Sequence, residues 1–184
     1  SKCCANSVSK ATSASSATQS VEIRVKTSRD PSGLGTSCIR SNRTMKLYFA
    51  GAIRGGRQDA STYHAMIAHL QTHAEVLTEH VGNKALSDGG EHNLSDDQIH
   101  ARDVAWLKDC DAVVAEVTAP SLGVGYELGI AEKLGKPVLC LFDAGNRDYR
   151  LSAMLSGNPR VTVVRYQELK GAMEAIDLFI EQNR

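Results

Sequence analysis

From residue 45 to the C-terminus the apolar residues follow two alternating rhythms. Continuous apolar runs at 46–51, Ala112–Glu116, 138–142 and 161–164 read as strands, and a shorter one at 75–77 joins them. The two central runs are apolar throughout, as strands buried on both faces are. Between the runs the spacing becomes helical. Tyr63, Met66, Ile67 and Leu70 fall at i, i+3, i+4 and i+7 of a helix predicted over 59–72, and Leu169, Met173, Ile176 and Ile180 mark the inner stripe of a closing helix. Ser95 opens a second helix, with Asp96 and Asp97 in the first turn and Gln98 at the capping-box position. A third helix is predicted over 125–134, stopped by Gly135 and Pro137. The polar stretch 82–94, with Asp88-Gly89-Gly90, reads as a mobile loop. Alternation of this kind predicts an α/β protein: a Rossmann-like open five-stranded parallel sheet with helices on both faces. Ligands in such sheets bind beyond the carboxyl ends of the strands, so the loops after strands one, three and four are where chemistry is sought.

Composition divides the chain. Residues 1–44 hold seven Lys/Arg against two acidic residues and sixteen Ser/Thr, although the whole chain of 184 residues balances 21 basic against 21 acidic side chains. So polar a segment buries too little surface to offset its ordering entropy and is expected to be a disordered tail ahead of one domain at 45–184. It is read either as an organelle leader or as sequence upstream of a natural start at Met45; the second reading is preferred, giving a cytoplasmic protein with the nucleus as a second location. The balanced charge supplies no field toward nucleic acid, and no apolar run approaches the roughly 20 residues that span a bilayer. The five cysteines, Cys3, Cys4, Cys38, Cys110 and Cys140, lack metal-ligand spacing. A soluble protein in a reducing compartment, without structural metal, is expected.

Three positions invite chemistry. After strand one, Gly51-Ala52-Ile53-Arg54-Gly55-Gly56-Arg57 combines backbone N–H groups free to approach an anion with two guanidiniums that fork onto phosphate oxygens. It is read as a monophosphate cradle or as a glycine-rich turn with two solvated arginines. It is not a P-loop, lacking the Gly-Lys-Ser/Thr ending. On helix two, Asp103 lies on the stripe of Ile99, Trp106, Leu107 and Cys110, where a carboxylate is costly unless it is used or bonded to backbone, His100 or Arg102. After strand three, Pro120-Ser121-Leu122-Gly123-Val124-Gly125-Tyr126-Glu127 makes a tight turn that places Glu127 in the first turn of helix three. The helix dipole and a solvated loop favour its ionised form, suited to attack on an acetal carbon, although a plain helix-start carboxylate fits equally. Arg150-Leu151-Ser152-Ala153-Met154 opens a short helix in which Ser152 is by default a cap.

Five blocks in order carry a resemblance: Leu47-Tyr48-Phe49-Ala50-Gly51 running on to Arg57, Leu77-Thr78-Glu79-His80-Val81, Val114-Ala115-Glu116-Val117-Thr118, Pro120-Ser121 through Leu128-Gly129, and Leu151-Ser152-Ala153-Met154. Over residues 47–178 the chain resembles the 2'-deoxynucleoside 5'-phosphate N-hydrolases of the nucleoside 2-deoxyribosyltransferase superfamily. The resemblance implies that Glu127 is the nucleophile, that Asp103 assists departure of the base and activation of water, and that Tyr48 holds the nucleophile. It places Gly51, Ala52, Ile53, Arg54, Gly55, Gly56, Arg57, Ser121 and Gly123 around a deoxynucleoside 5'-monophosphate, with His80 near the pocket. It also implies a homodimer in which Ser152, Ala153 and Met154 reach the neighbour's phosphate. Ala52 stands where relatives commonly place Ser, which removes one hydroxyl contact. No cofactor is expected, because a 2-deoxy sugar lacks the hydroxyl that would destabilise an oxocarbenium-like state. The rival readings are a nucleoside deoxyribosyltransferase, which passes the sugar to a second base, and a module that binds nucleotide without cleaving it.

Overall fold

The computed structural model describes residues 43–52, 60–78, 94–146 and 148–184. Most of the predicted tail, the loop 82–93, and Ile53, Arg54, Gly55, Gly56, Arg57 and His80 lie outside the described residues. Ten elements follow one another: β1 (Lys46–Ala50), α1 (Ala60–Gln71), β2 (Glu75–Val76), α2 (Asp96–Asp109), β3 (Ala112–Glu116), α3 (Leu122–Lys133), β4 (Val138–Asp143), α4 (Ala153–Ser156), β5 (Thr162–Tyr166) and α5 (Leu169–Asn183). All strand pairings are parallel, in the order β2-β1-β3-β4-β5. The direction of winding therefore reverses between β1 and β3, and a crevice is expected at the carboxyl ends of those two strands.

Side chains alternate across a strand, so each central strand feeds two cores. Leu47 and Phe49 of β1 join Val114, Leu139 and Leu141 beneath α1 and α5, where Met66, Leu70, Ile176 and Ile180 are fully or almost fully buried. Tyr48 and Ala50, from the same strand, join Val113, Ala115, Cys140 and Phe142 beneath Leu107, Val124, Leu128 and Ala131. This double burial explains the unbroken apolar runs of β3 and β4. The cysteines Cys110 and Cys140 are buried free thiols.

Termini of the elements follow local chemistry. Ser95 Oγ accepts from the Gln98 N–H while Gln98 Oε1 accepts from the Ser95 N–H, which completes the predicted capping box. Gly135 takes φ +69 after α3, and the Gly135 and Lys136 amides close onto the Glu132 and Ala131 carbonyls. That left-handed stop is where a residue without Cβ is needed. Lys136 Nζ donates to the Lys108 and Cys110 carbonyls at 2.9 and 2.6 Å, neutralising the negative end of α2. Strand β2 is only two residues long, and Thr78 extends its role: the buried hydroxyl accepts from the Phe49 N–H at 2.8 Å and donates to the Phe49 C=O at 2.7 Å.

Several boundaries differ from the sequence reading. Helix α3 begins at Leu122 instead of 125, because Ser121 is its N-cap and Gly123 and Gly125 lie within the helical spiral. Glu127 therefore sits in the second turn, not the first. Strand β5 runs Thr162–Tyr166 where 161–164 is predicted, since Arg165 and Tyr166 remain paired with Phe142 and Asp143.

Candidate active site

At the expected crevice, β1 and α3 bring together two groups that lie 79 positions apart: the Tyr48 hydroxyl donates to Glu127 Oε1 at 2.9 Å. Tyr48 faces α2 and α3 because the pleat of β1 sends it to the side opposite Phe49, and it is only 2% exposed. Glu127 is half-buried one strand away, beyond the carboxyl end of β3. Burial is the largest influence on its carboxyl and raises the pKa from 4.5 to about 7; the Tyr48 hydrogen bond pulls it back, and the negative charge of Asp103 adds to the rise. The sequence reading, in which the helix dipole and solvent keep Glu127 ionised, is thus corrected. The dipole weakens beyond the first turn, and the packing of α3 removes water that a loop position would have kept. Tyr48 is likewise held far above the ordinary phenol range by burial first and then by the Glu127 and Asp103 charges, so it is a fixed donor.

Asp103 lies on α2 with its side chain 22% exposed. Of the three partners considered for it, Arg102 is the one found, with Nε and Nη2 both 2.9 Å from Asp103 Oδ1. The Arg102 guanidinium also lies 4.6 Å from the centre of the Trp106 ring, which fixes the fork in place. His100 turns instead to the Tyr126 hydroxyl, at 3.4 Å. The site therefore holds a half-buried carboxylate gripped by a tyrosine and a second carboxylate neutralised in part by its own neighbour.

Around this pair, Gly51 is buried so closely that a Cβ would meet the Tyr63 ring at 3.2 Å and the Phe49 ring at 3.3 Å, and Ala52 is 1% exposed. A Cβ at Gly125 would meet nothing within 4 Å, and one at Gly123, a turn before Glu127 on the same face of α3, would meet only Ser121 Oγ, at 3.7 Å. Ser121 caps α3 through the Val124 N–H, and Gly123 is exposed next to it. Ser152 caps α4 through the Met154 N–H at 3.3 Å. Ala153 and Met154 are exposed, Met154 by 81%.

One network escaped the sequence reading. Glu116, at the end of β3, is 1% exposed and accepts from the Thr118 hydroxyl and amide and from the Tyr166 hydroxyl, while Thr118 Oγ1 accepts from the Asp143 N–H at 2.7 Å. It anchors the loop that leads to Ser121 and Glu127. The Glu116-Val117-Thr118 string was visible, but a buried acid at a strand end gives no signal until its partners on β4 and β5 are known.

A carboxylate held at the winding switch of an open parallel sheet marks an α/β protein with a ligand crevice beyond its strand ends. Comparison with known sequences places it more closely: the chain belongs to the nucleoside 2-deoxyribosyltransferase family, whose family model matches residues 47–171. It is 60% identical over 114 residues to a protein of Tetraodon nigroviridis named 5-hydroxymethyl-dUMP N-hydrolase, a match covering 61% of this chain and 80% of that one. It is 49% identical over 126 residues to a Danio rerio protein also named 5-hydroxymethyl-dUMP N-hydrolase, covering 68% and 87%. Among solved structures the fold is similar to a CMP N-glycosidase of Clostridium botulinum, with a TM-score of 0.53, 23% identity, and coverage of 72% of this chain and 98% of that one.

Proposed function

We propose that this chain hydrolyses the N-glycosidic bond of 2'-deoxynucleoside 5'-monophosphates, releasing a free base and 2-deoxyribose 5-phosphate. The observation that carries the reading is the Tyr48–Glu127 hydrogen bond, which fixes one carboxylate oxygen and leaves the other for chemistry. Family membership and the names of the relatives supply the substrate class, and 5-hydroxymethyl-dUMP is the first compound to test.

In the reaction, a Glu127 oxygen bonds to C1' as the C1'–N bond breaks, and the bond's electron pair leaves with the base, which takes a proton from the Asp103 carboxyl that the water of the second step restores. Water then attacks C1', the Glu127 ester bond breaks, and the water proton passes to Asp103. This is the double displacement of retaining glycosidases transferred to a deoxynucleotide. Arg102 positions the Asp103 carboxylate for both steps. Arg54 and Arg57 would hold the 5'-phosphate, with Ser152, Ala153 and Met154 of a second copy completing the site. Leu122 and Tyr126, one turn apart on α3, and Met154 on α4 are exposed apolar side chains that a second copy would cover.

The family's name favours a second reading, in which the sugar passes to an acceptor base. Turnover of 5-hydroxymethyl-dUMP and of its nucleoside, each with and without added free base, separates the two. Hydrolysis of the monophosphate alone supports the N-hydrolase. Base exchange on the nucleoside would overturn it. Trapping of a sugar on Glu127 by mass spectrometry tests the intermediate.

A further inference from the structure

At the amino ends of the strands, where α1 runs out, lies a group of side chains that this chemistry does not use. His69 is in the last turn of α1, and His73 follows four residues later. The His73 and Ala74 amides both bond to the Leu70 carbonyl, so the spiral continues past the helix end and turns both imidazoles the same way. Their rings lie 5.2 Å apart, centre to centre. From α5, Asp177 Oδ1 comes to 2.6 Å from His69 Nε2 and 3.1 Å from His73 Nε2. One donor atom from each of the three residues falls within 4.8 Å of the others.

We propose that His69, His73 and Asp177 form a binding site for a divalent first-row transition ion of the zinc type. Two imidazole nitrogens and one carboxylate oxygen are a donor set that suits such ions. Bonds of about 2.0–2.1 Å in a tetrahedral site put the donor atoms roughly 3.3 Å apart; the two Asp177 contacts, at 2.6 and 3.1 Å, need open by less than about 1 Å, and no donor pair is more than 4.8 Å apart. Side-chain rotation suffices for that. The backbones need not move, because Met66 and Leu70 of α1 share one core with Ile176 and Ile180 of α5. Donors mounted on two packed helices are already in register for the ion. The ligand side chains are 27%, 33% and 47% exposed, which leaves the fourth position to water. Glu181, one turn beyond Asp177, lines the same groove and balances Arg184, whose guanidinium is occupied at 2.8 Å by the His73 carbonyl. Bound there, the ion would staple α1 to α5 at the end of the molecule remote from Tyr48 and Glu127. The cysteine spacing that argues against a thiolate-bound metal says nothing about this corner, because Asp177 arrives from far along the chain.

The test uses the full chain after chelator treatment, with Cys3, Cys4 and Cys38 alkylated so that thiolates do not compete. Zn²⁺ is titrated against a chromophoric chelator, and Co²⁺ is followed by its visible absorption. One equivalent is expected to bind, with a Co²⁺ spectrum lacking sulfur charge-transfer bands, and a hundredfold excess of zinc over its Kd should raise the Tm by roughly 5–10 °C. His73→Ala should weaken binding by at least about tenfold and abolish the Tm rise. Because His69 also ties α1 to α5 without metal, Asp177→Asn serves as the second variant, since it keeps the volume and an acceptor oxygen while losing the charge. Equal zinc affinity in wild type, His73→Ala and Asp177→Asn, or no saturable binding below millimolar zinc, would overturn the assignment. Neither result bears on the proposed hydrolysis, and both variants should leave deoxynucleotide turnover unchanged.

Discussion

Glu127→Gln is expected to stop turnover and, at alkaline pH, to make the protein more stable. Burial raises the Glu127 pKa from 4.5 to about 7. At about 1.4 kcal/mol per unit, ionising this group costs the fold up to roughly 3 kcal/mol. The sign follows from linkage. Below about pH 4.5 the carboxyl is neutral in both the folded and the unfolded chain, and its neutral form costs nothing. As pH rises toward and through 7, the unfolded chain releases its proton first, and stability is lost. Glutamine carries no charge at any pH and still offers Oε1 to the Tyr48 hydroxyl. The stability difference between the variant and wild type should therefore be near zero at about pH 4.5 and grow to roughly 2–3 kcal/mol by about pH 8.5, or about 5–10 °C in Tm. Thermal and urea unfolding of both proteins across that range measure it. A difference that does not change with pH, or a wild type more stable than the variant at pH 8.5, would refute the burial argument. Stability gained by removing a group that turnover requires is the expected pattern for a functional carboxylate.

Three further outcomes follow from the same geometry. The kcat/KM profile should fall on the acid side with an apparent pKa near 7, because Glu127 attacks only when ionised; Tyr48→Phe, which removes the hydrogen bond that lowers this pKa, should move that limb to higher pH and reduce the rate roughly ten- to a hundredfold. Asp103→Asn should lower kcat by roughly 10²–10⁴-fold while changing the Tm little, since its ion pair with Arg102 is part-exposed. Thr78→Val keeps the shape but leaves the buried Phe49 N–H and C=O without their partner, and denaturant unfolding should register a loss of about 1–3 kcal/mol.

Much of the fold is local and was therefore legible in the chain. Apolar runs revealed β3 and β4, the Ser95/Gln98 pair announced the start of α2, and Gly135 with Pro137 marked the end of α3. The start of α3 was misplaced because Gly123 and Gly125 look like turn residues. Once Ser121 supplies the cap and α3 packs on β3 and β4, the helix tolerates both.

The site divides along the same line. Residue types and spacing identified Glu127 and Asp103 as the groups to examine, since a carboxylate after a glycine-rich strand exit and an acid on an apolar stripe are visible as anomalies; Tyr48 entered only through the family resemblance. Their environment was not visible. The 2-1-3-4-5 strand order, the pleat that turns Tyr48 toward α3, and the removal of water from Glu127 are products of packing between segments tens of residues apart. That packing raises the Glu127 pKa toward neutrality. It also brings Asp177 to His69 and His73. Sequence by itself determined which groups are present and which elements carry them, because periodicity and capping act within a few residues. Only the tertiary structure decided what each group faces, because burial and charge act through space.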